Sequence, residues 1–267
     1  MTRHVEELKA IDKRDRRENP SIIRDLLDSK MPDEEKTTLQ LSTEGQHLLA
    51  GGTDSSSHML TTITYHLLAN PDKLAKLKKE LEAAMPDEKA TPECMTVETL
   101  PYLNAVIRET FRMHTPVAFT MERIAPEEDL EYKSPKDGNT YVIPRGVVVG
   151  MTPILLGRIE SLYPEPDEFR PERFIENPDL ERLQMPFGRG TRRCLGENLA
   201  TAELCVLLAT VFRKFDVWDG TGRQKGQTME LYETGREDVD MASTFILPFI
   251  KEGRKGVRVV IRNGGST

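Results

Sequence analysis

Phe187-Gly188-Arg189-Gly190-Thr191-Arg192-Arg193-Cys194-Leu195-Gly196 is the stretch from which the rest of the chain is read. It sets one cysteine in a glycine-rich turn among arginines, directly ahead of an apolar helix that the residue spacing predicts over Glu197 to Lys214. A thiol ligates metal only as the thiolate, and positive potential favours that form. Arg189, Arg192, Arg193 and the positive end of the following helix supply it. Gly190 and Gly196 let the backbone turn tightly, so that amide N–H groups can point at the sulfur, and Phe187 is placed to shield it from water. The bland alternative is an ordinary buried thiol in a basic turn, the usual fate of a lone cysteine. What else the chain carries decides between the two.

The spacing F-x-x-G-x-R-x-C-x-G resembles the haem-binding signature of the cytochrome P450 superfamily, of eukaryotic, fungal type. The resemblance implies a mainly α fold with small β-sheets, of which residues 1–267 would be the carboxy-terminal, catalytic portion with the amino-terminal part missing. It further implies haem b held through the thiolate of Cys194 as axial iron ligand, in a loop (187–196) shaped by Phe187, Gly190 and Gly196. Arg192 and Arg123 become candidates for the haem propionates, since arginine pairs well with carboxylates; a solvated Arg123 is the equal alternative. The helix from Glu197 to Lys214 would support the loop, with Leu199, Leu204, Leu207, Leu208, Val211 and Phe212 facing the core and Cys205 among them.

A second pattern lies upstream. Pro32-Asp33-Glu34-Glu35 starts a helix with acidic residues at its positive end, and near-helical apolar spacing then continues until Asn70-Pro71, giving one long helix over about 33–69. Its middle, Ala50-Gly51-Gly52-Thr53-Asp54-Ser55-Ser56-Ser57, is poor helix-forming sequence, each glycine costing about 1 kcal/mol. A flat ligand lying against the helix would favour that weakness, through close backbone approach and a local bulge; a flexible kink with solvent-facing serines is the bland reading. The run resembles the family's oxygen-binding segment (A/G)-G-x-(D/E)-T-T. That resemblance makes Asp54 and Ser55 the residues that deliver protons to bound dioxygen, with Gly51 and Gly52 leaving space above the iron. Ser55 departs from the commoner threonine, keeping the hydroxyl and losing the methyl.

The helix predicted over Pro101 to His114 carries Glu109 and Arg112 on one face, three residues apart, among Val106, Ile107, Phe111 and Met113, which points to burial. The pair looks like the family's E-x-x-R, whose structural triad is completed by the arginine of Pro171-Glu172-Arg173-Phe174. The triad's arginines would position the loop carrying Cys194. After Pro116, Val117 to Thr120 should run extended, and the resemblance places it beside haem and substrate. Residues around Phe245 and Ile246 would join it, so an apolar small molecule is expected.

The remaining segments punctuate these. Met1 to Glu18 is charged and reads as solvated or frayed, and Asn19-Pro20-Ser21 starts a short helix over Ile22 to Leu27. Pro71 to Ala84 is an amphipathic helix on Leu74, Leu77 and Leu81. From Leu130 to Met151 short strands form a small sheet, and further strand-like runs at Phe215 to Trp218, Thr228 to Tyr232, Thr244 to Phe249 and Val257 to Ile261 suggest small antiparallel pairs.

Composition excludes several classes. Charged residues make up 30% and hydrophobic ones 37%, as in soluble globular chains. A net charge of −7 gives no reason to expect a nucleic-acid partner. Cys94, Cys194 and Cys205 form no C-x-x-C pair or disulfide framework, which points to a reducing compartment. No apolar run approaches the roughly 20 residues that span a bilayer. The chain as written would therefore be soluble and cytoplasmic, whereas the resemblance implies an endoplasmic-reticulum anchor in complete relatives.

Together the motifs imply a haem-thiolate monooxygenase acting on a lipophilic small molecule with O2, and with NADPH electrons delivered by a reductase that Arg189 and Arg193 help to dock. An inactive truncated piece and a reductase-independent haem-thiolate isomerase or dehydratase are the other readings. Retention of Asp54 and of a hydroxyl at Ser55 argues against the isomerase.

Overall fold

The computed structural model describes residues 1–11, 21–221, 223–245 and 247–263, in two compact units, 1–55 and 56–267. Most of the basic stretch after Ile11, the Asn19-Pro20 start signal and Ile246 lie outside the described residues.

In the first unit, α1 (Thr2–Ala10) buries Val5 and Leu8 with Ile23 of α2 (Ile22–Asp28) and Leu41 of α3 (Thr38–Ala69). The amino-terminal segment is thus not purely solvated: two apolar side chains one turn apart anchor it. Ser21 caps α2 by accepting from the Arg24 amide at 3.2 Å. The long helix begins at Thr38 rather than near 33. Asp33–Glu35 forms a separate 3-10 turn, because the Lys36 amide returns to Asp33 O and Thr37 Oγ1 then caps the new helix through the Gln40 amide.

The second unit is built on α4 (Pro71–Ala84), α6 (Pro101–Met113) and α9 (Glu197–Lys214), with the carboxy-terminal part of α3. The short helices α5 (Cys94–Val97), α7 (Pro153–Leu156) and α8 (Glu172–Glu176) fill the connections. Met59, Ile63 and Leu67 of α3, Leu74, Leu77 and Leu81 of α4, Leu103 and Val106 of α6, and Leu204, Leu208 and Phe212 of α9 form one core. Polar links fix the helices around it. Glu80 on α4 accepts from the Tyr102 and Leu103 amides at 2.8 and 2.9 Å, satisfying orphan donors at the start of α6. Lys78 donates to the Phe212 and Phe215 carbonyls at the end of α9 and pairs with Asp216 at 2.7 Å. On α9 the buried face is narrower than its leucine content suggests, for Leu199 is 62% and Leu207 45% exposed.

The strands make four small sheets. β1 (Met121–Ile124) pairs antiparallel with β4 (Val148–Met151), and β2 (Leu130–Lys133) with β3 (Thr140–Ile143), so residues 121–151 form two separate ladders rather than one sheet. β5 (Phe215–Val217), β6 (Gln227–Leu231) and β9 (Val259–Asn263) form a three-stranded sheet. Its β5–β6 pair is parallel, against the antiparallel expectation, because the intervening chain returns before pairing. The run from Thr244 to Phe249 is a hairpin, β7 (Ser243–Thr244) against β8 (Pro248–Phe249), and not a single strand. Among the described residues no helix is long and apolar enough to cross a membrane.

Candidate functional site

The cysteine turn is closed by its own backbone. The Gly188 amide donates to Met185 O at 3.1 Å, the Arg193 amide to Gly190 O at 3.1 Å, and the Cys194 amide to Phe187 O at 2.8 Å. Gly188 (φ 71°) and Gly190 (φ 76°) occupy the left-handed region, where side chains are strained, while Arg189 between them is extended. Gly196 takes φ −90° and is not needed for its backbone angle; it precedes α9, and a Cβ there would stand 4.0 Å from Cys194 Sγ. The left-handed backbone therefore requires glycine at positions 188 and 190, whereas at 196 a Cβ would make only an ordinary contact with the sulfur and neither angle nor space demands glycine.

Cys194 is exposed, as is Leu195, next along the chain. The Phe187 ring packs edge-on against Phe111 of α6, with centroids 5.2 Å apart, so it anchors the loop to the core while the thiol faces outward. Gln184 adds a second tether, its Nε2 donating to the Arg108 carbonyl at 2.9 Å. Both links join residues more than seventy positions apart and have no local signature in the chain. Arg192 lies exposed in a 3-10 turn (Gly190–Arg192). Arg193 is committed to Glu197, the first residue of α9, and Arg189 donates to the Arg182 and Gln184 carbonyls. Arg123, on β1, is exposed and donates to the Glu122 carbonyl at 2.7 Å.

Glu109, Arg112 and Arg173 are brought together in the core at 0%, 2% and 3% exposure. Arg112 Nε and Nη2 reach the two Glu109 oxygens at 2.8 Å each, Arg173 Nε reaches Oε1 at 3.1 Å, and the Arg170 amide donates to the same oxygen at 2.8 Å. The remaining arginine donors do not go to the cysteine loop. Arg112 holds the Gly157, Pro166 and Glu168 carbonyls, and Arg173 those of Pro164, Glu165 and Glu168. The triad therefore braces the 157–168 meander, a region without regular hydrogen bonding of its own, and the loop is held separately through Phe111 and Gln184.

In the first unit, α3 runs as continuous α-helix through Gly51, Gly52, Asp54 and Ser55, with no bulge. Ser55 Oγ donates to the Gly51 carbonyl at 2.6 Å, a back-bond that occupies the hydroxyl, and Asp54 is exposed. A Cβ added at Gly51 or Gly52 would meet no heavy atom within 4 Å. In the second unit, Ser56 Oγ donates to Glu203 on α9 at 3.3 Å. Of the apolar residues expected around a ligand, Phe119 and Phe245 are exposed at 45% and 82%, whereas Ala118 is buried.

A buried pair escaped the sequence reading. His66 Nε2 and His114 Nε2 lie 2.8 Å apart, with the His66 ring stacked on Phe169 at 4.4 Å. One ring must donate and the other accept, which requires both to be neutral or to share one proton. Burial, with Arg236, Arg158 and Arg112 nearby, pushes His66 down to about 3, and burial together with His66 and Arg158 holds His114 well below its ordinary value. Cys205, by contrast with Cys194, is fully buried, and its thiol is pushed up to about 11 by burial.

The turn offers one exposed sulfur, with the amide of the same residue used to close the loop, a donor set that fits a single thiolate ligand to a haem iron. Among the described residues no cluster of three or more His, Cys, Asp or Glu is arranged to hold a bare metal ion. The family model described as Cytochrome P450 matches residues 2–234. The cytochrome P450 monooxygenase tpcC of Cochliobolus heterostrophus is 37% identical over 97% of this chain and 48% of its own length. MO6277 of Ascocoryne sarcoides, also named a cytochrome P450 monooxygenase, is 40% identical over 91% of the chain and 45% of its own. The tryptophan 6-hydroxylase fscE of Fusarium equiseti is 36% identical over 89% and 44%. The chain spans about half the length of the curated relatives it matches.

Proposed function

This chain belongs to the cytochrome P450 family, and from that premise we propose that the complete protein is a haem-thiolate monooxygenase. It would insert one oxygen atom from O2 into a lipophilic small molecule, with electrons passed from NADPH through a reductase. The observation that carries the reading is the Cys194 turn, whose left-handed glycines and Cys194–Phe187 backbone bond leave an exposed thiol as the turn's outward group.

Haem b, when bound, supplies the oxygen activation, with a thiolate ligand favouring O–O cleavage. Cys194 Sγ would be that ligand. Gly188 and Gly190 would give the loop its turn, Gly196 would lead it into α9, and Phe187, packed edge-on against Phe111, holds the loop in register. Arg192 and Arg123, both exposed, would bind the propionate carboxylates; Arg123 can do so without breaking an ion pair, since its partner is a backbone carbonyl. In the first unit Asp54 and Ser55 would move the proton. Ser55 Oγ must first release the Gly51 carbonyl and rotate, after which Asp54, in water contact, can reload it. For reductase docking Arg189 is better placed than Arg193, whose charge Glu197 already offsets. In complete relatives an amino-terminal membrane anchor would place the enzyme at the endoplasmic reticulum.

Titrating haemin into the complete apoprotein tests the reading. Saturable uptake at one equivalent, abolished by Cys194→Ala with the far-UV spectrum unchanged, is expected. Equal uptake by the variant would remove Cys194 from the site.

A further inference from the structure

The β1–β4 ladder places Glu122 opposite Gly150 and Met121 opposite Met151. Continued by one step, the register sets Thr120 across from Thr152, and their Oγ1 atoms are 3.0 Å apart. Gly150 is then the diagonal neighbour of Thr120 on the same face. A Cβ built on Gly150 would fall inside van der Waals distance of Thr120 Cγ2, whereas Glu122 Cγ stands off at 3.8 Å. Gly150 does not adopt a left-handed φ, so glycine is needed there for space alone. The Thr120 methyl occupies the room a side chain would take. Threonine is stiff about χ1, and Thr120 cannot swing its methyl aside without losing the hydroxyl contact to Thr152.

Thr120 ends the segment 117–120, which leaves buried Ala118 and presents the Phe119 ring at 45% exposure. We propose that Gly150 is a positioning residue for this segment: by admitting the Thr120 methyl onto β4 it sets how far Phe119 projects, and so which aromatic or apolar ligands fit beneath it. The proposal rests on the reading that 117–120 lies beside cofactor and substrate.

The test uses the haem-loaded complete protein with Gly150→Ala, Thr120→Ser, the double variant and Phe119→Ala. Thermal midpoints and optical titrations with imidazole and 4-phenylimidazole are measured for each. Gly150→Ala should lower the midpoint and weaken 4-phenylimidazole about tenfold relative to imidazole, the scale of an overpacked methyl. Thr120→Ser keeps the hydroxyl and removes the methyl, so the double variant should recover both quantities, the affinity ratio to within about twofold of the parent. An unchanged ratio in Gly150→Ala, or a double variant as impaired as the single, overturns the proposal. If Phe119→Ala shifts the ratio and Gly150→Ala does not, positioning by Gly150 alone is refuted. If Phe119→Ala leaves the ratio unchanged, the ligand-lining reading of 117–120 is wrong and the proposal falls with it.

Discussion

Replacing Glu109 by alanine should be among the most damaging single changes in the second unit. The carboxylate accepts four hydrogen bonds, from Arg112 Nε and Nη2, Arg173 Nε and the Arg170 amide, with no solvent exposure of its own. Removing it strands two guanidinium groups whose side chains are 0% and 3% exposed. Their remaining partners are carbonyls, which satisfy donors but carry no countercharge. Breaking a buried pair from one side costs about 3–5 kcal/mol, set against a total stability of about 5–15 kcal/mol. With a urea dependence of about 2 kcal/mol per molar, the unfolding midpoint should fall by about 2 M. Trp218, the chain's one tryptophan, lies in the same unit with Arg262 4.1 Å above its ring, and its fluorescence reports the transition. Glu109→Gln should not rescue, because its amide nitrogen must face another donor. A midpoint drop worth less than about 1 kcal/mol would show that the carbonyls alone carry the arginines and would refute the reasoning.

The His66–His114 pair makes stability pH-dependent with a definite sign. Both groups are held below their unfolded value of about 6.5, so the unfolded chain binds more protons in acid and stability falls as pH drops through that value. Between pH 7.5 and 5.5 each should cost about 1.4 kcal/mol, and urea midpoints of the parent and of His114→Gln across that range should show a weaker slope in the variant. Gly190→Ala, at φ 76°, should lose about 1–2 kcal/mol in thermal unfolding, whereas Gly196→Ala, at an ordinary angle, should lose less than about 0.5 kcal/mol. In the complete enzyme Ser55→Ala should raise peroxide and lower product per NADPH, measured by stopped assays of both; unchanged coupling would remove the Ser55 hydroxyl from proton delivery.

The parts legible in the sequence were those written in local spacing. The period of Leu204, Leu208 and Phe212 marks the buried face of α9, and three-residue spacing puts Glu109 and Arg112 on one face of α6. Signals shared by two structures misled: proline followed by three acids opens a 3-10 turn as readily as an α-helix, so α3 starts later than its apparent cap. Leu199 and Leu207 fit a helical apolar pattern yet stay exposed, since period alone does not say how wide a face its neighbours cover. Contacts over long separations left no local trace at all. Phe111 against Phe187, Gln184 on Arg108, and His66 beside His114 each depend on how the chain returns, as does the parallel β5–β6 pair. The same is true of the carbonyls that Arg112 and Arg173 hold, which moved the triad's work from the cysteine loop to the meander.

The most direct measurement is the difference spectrum of the dithionite-reduced, CO-bound complete protein, with and without Cys194→Ala. Ligation by the Cys194 sulfur predicts the strongly red-shifted Soret band of a thiolate-bound haem in the parent and its loss in a variant that still folds. A band at the ordinary, unshifted position with Cys194 intact, or a shifted band that survives its removal, would contradict the account.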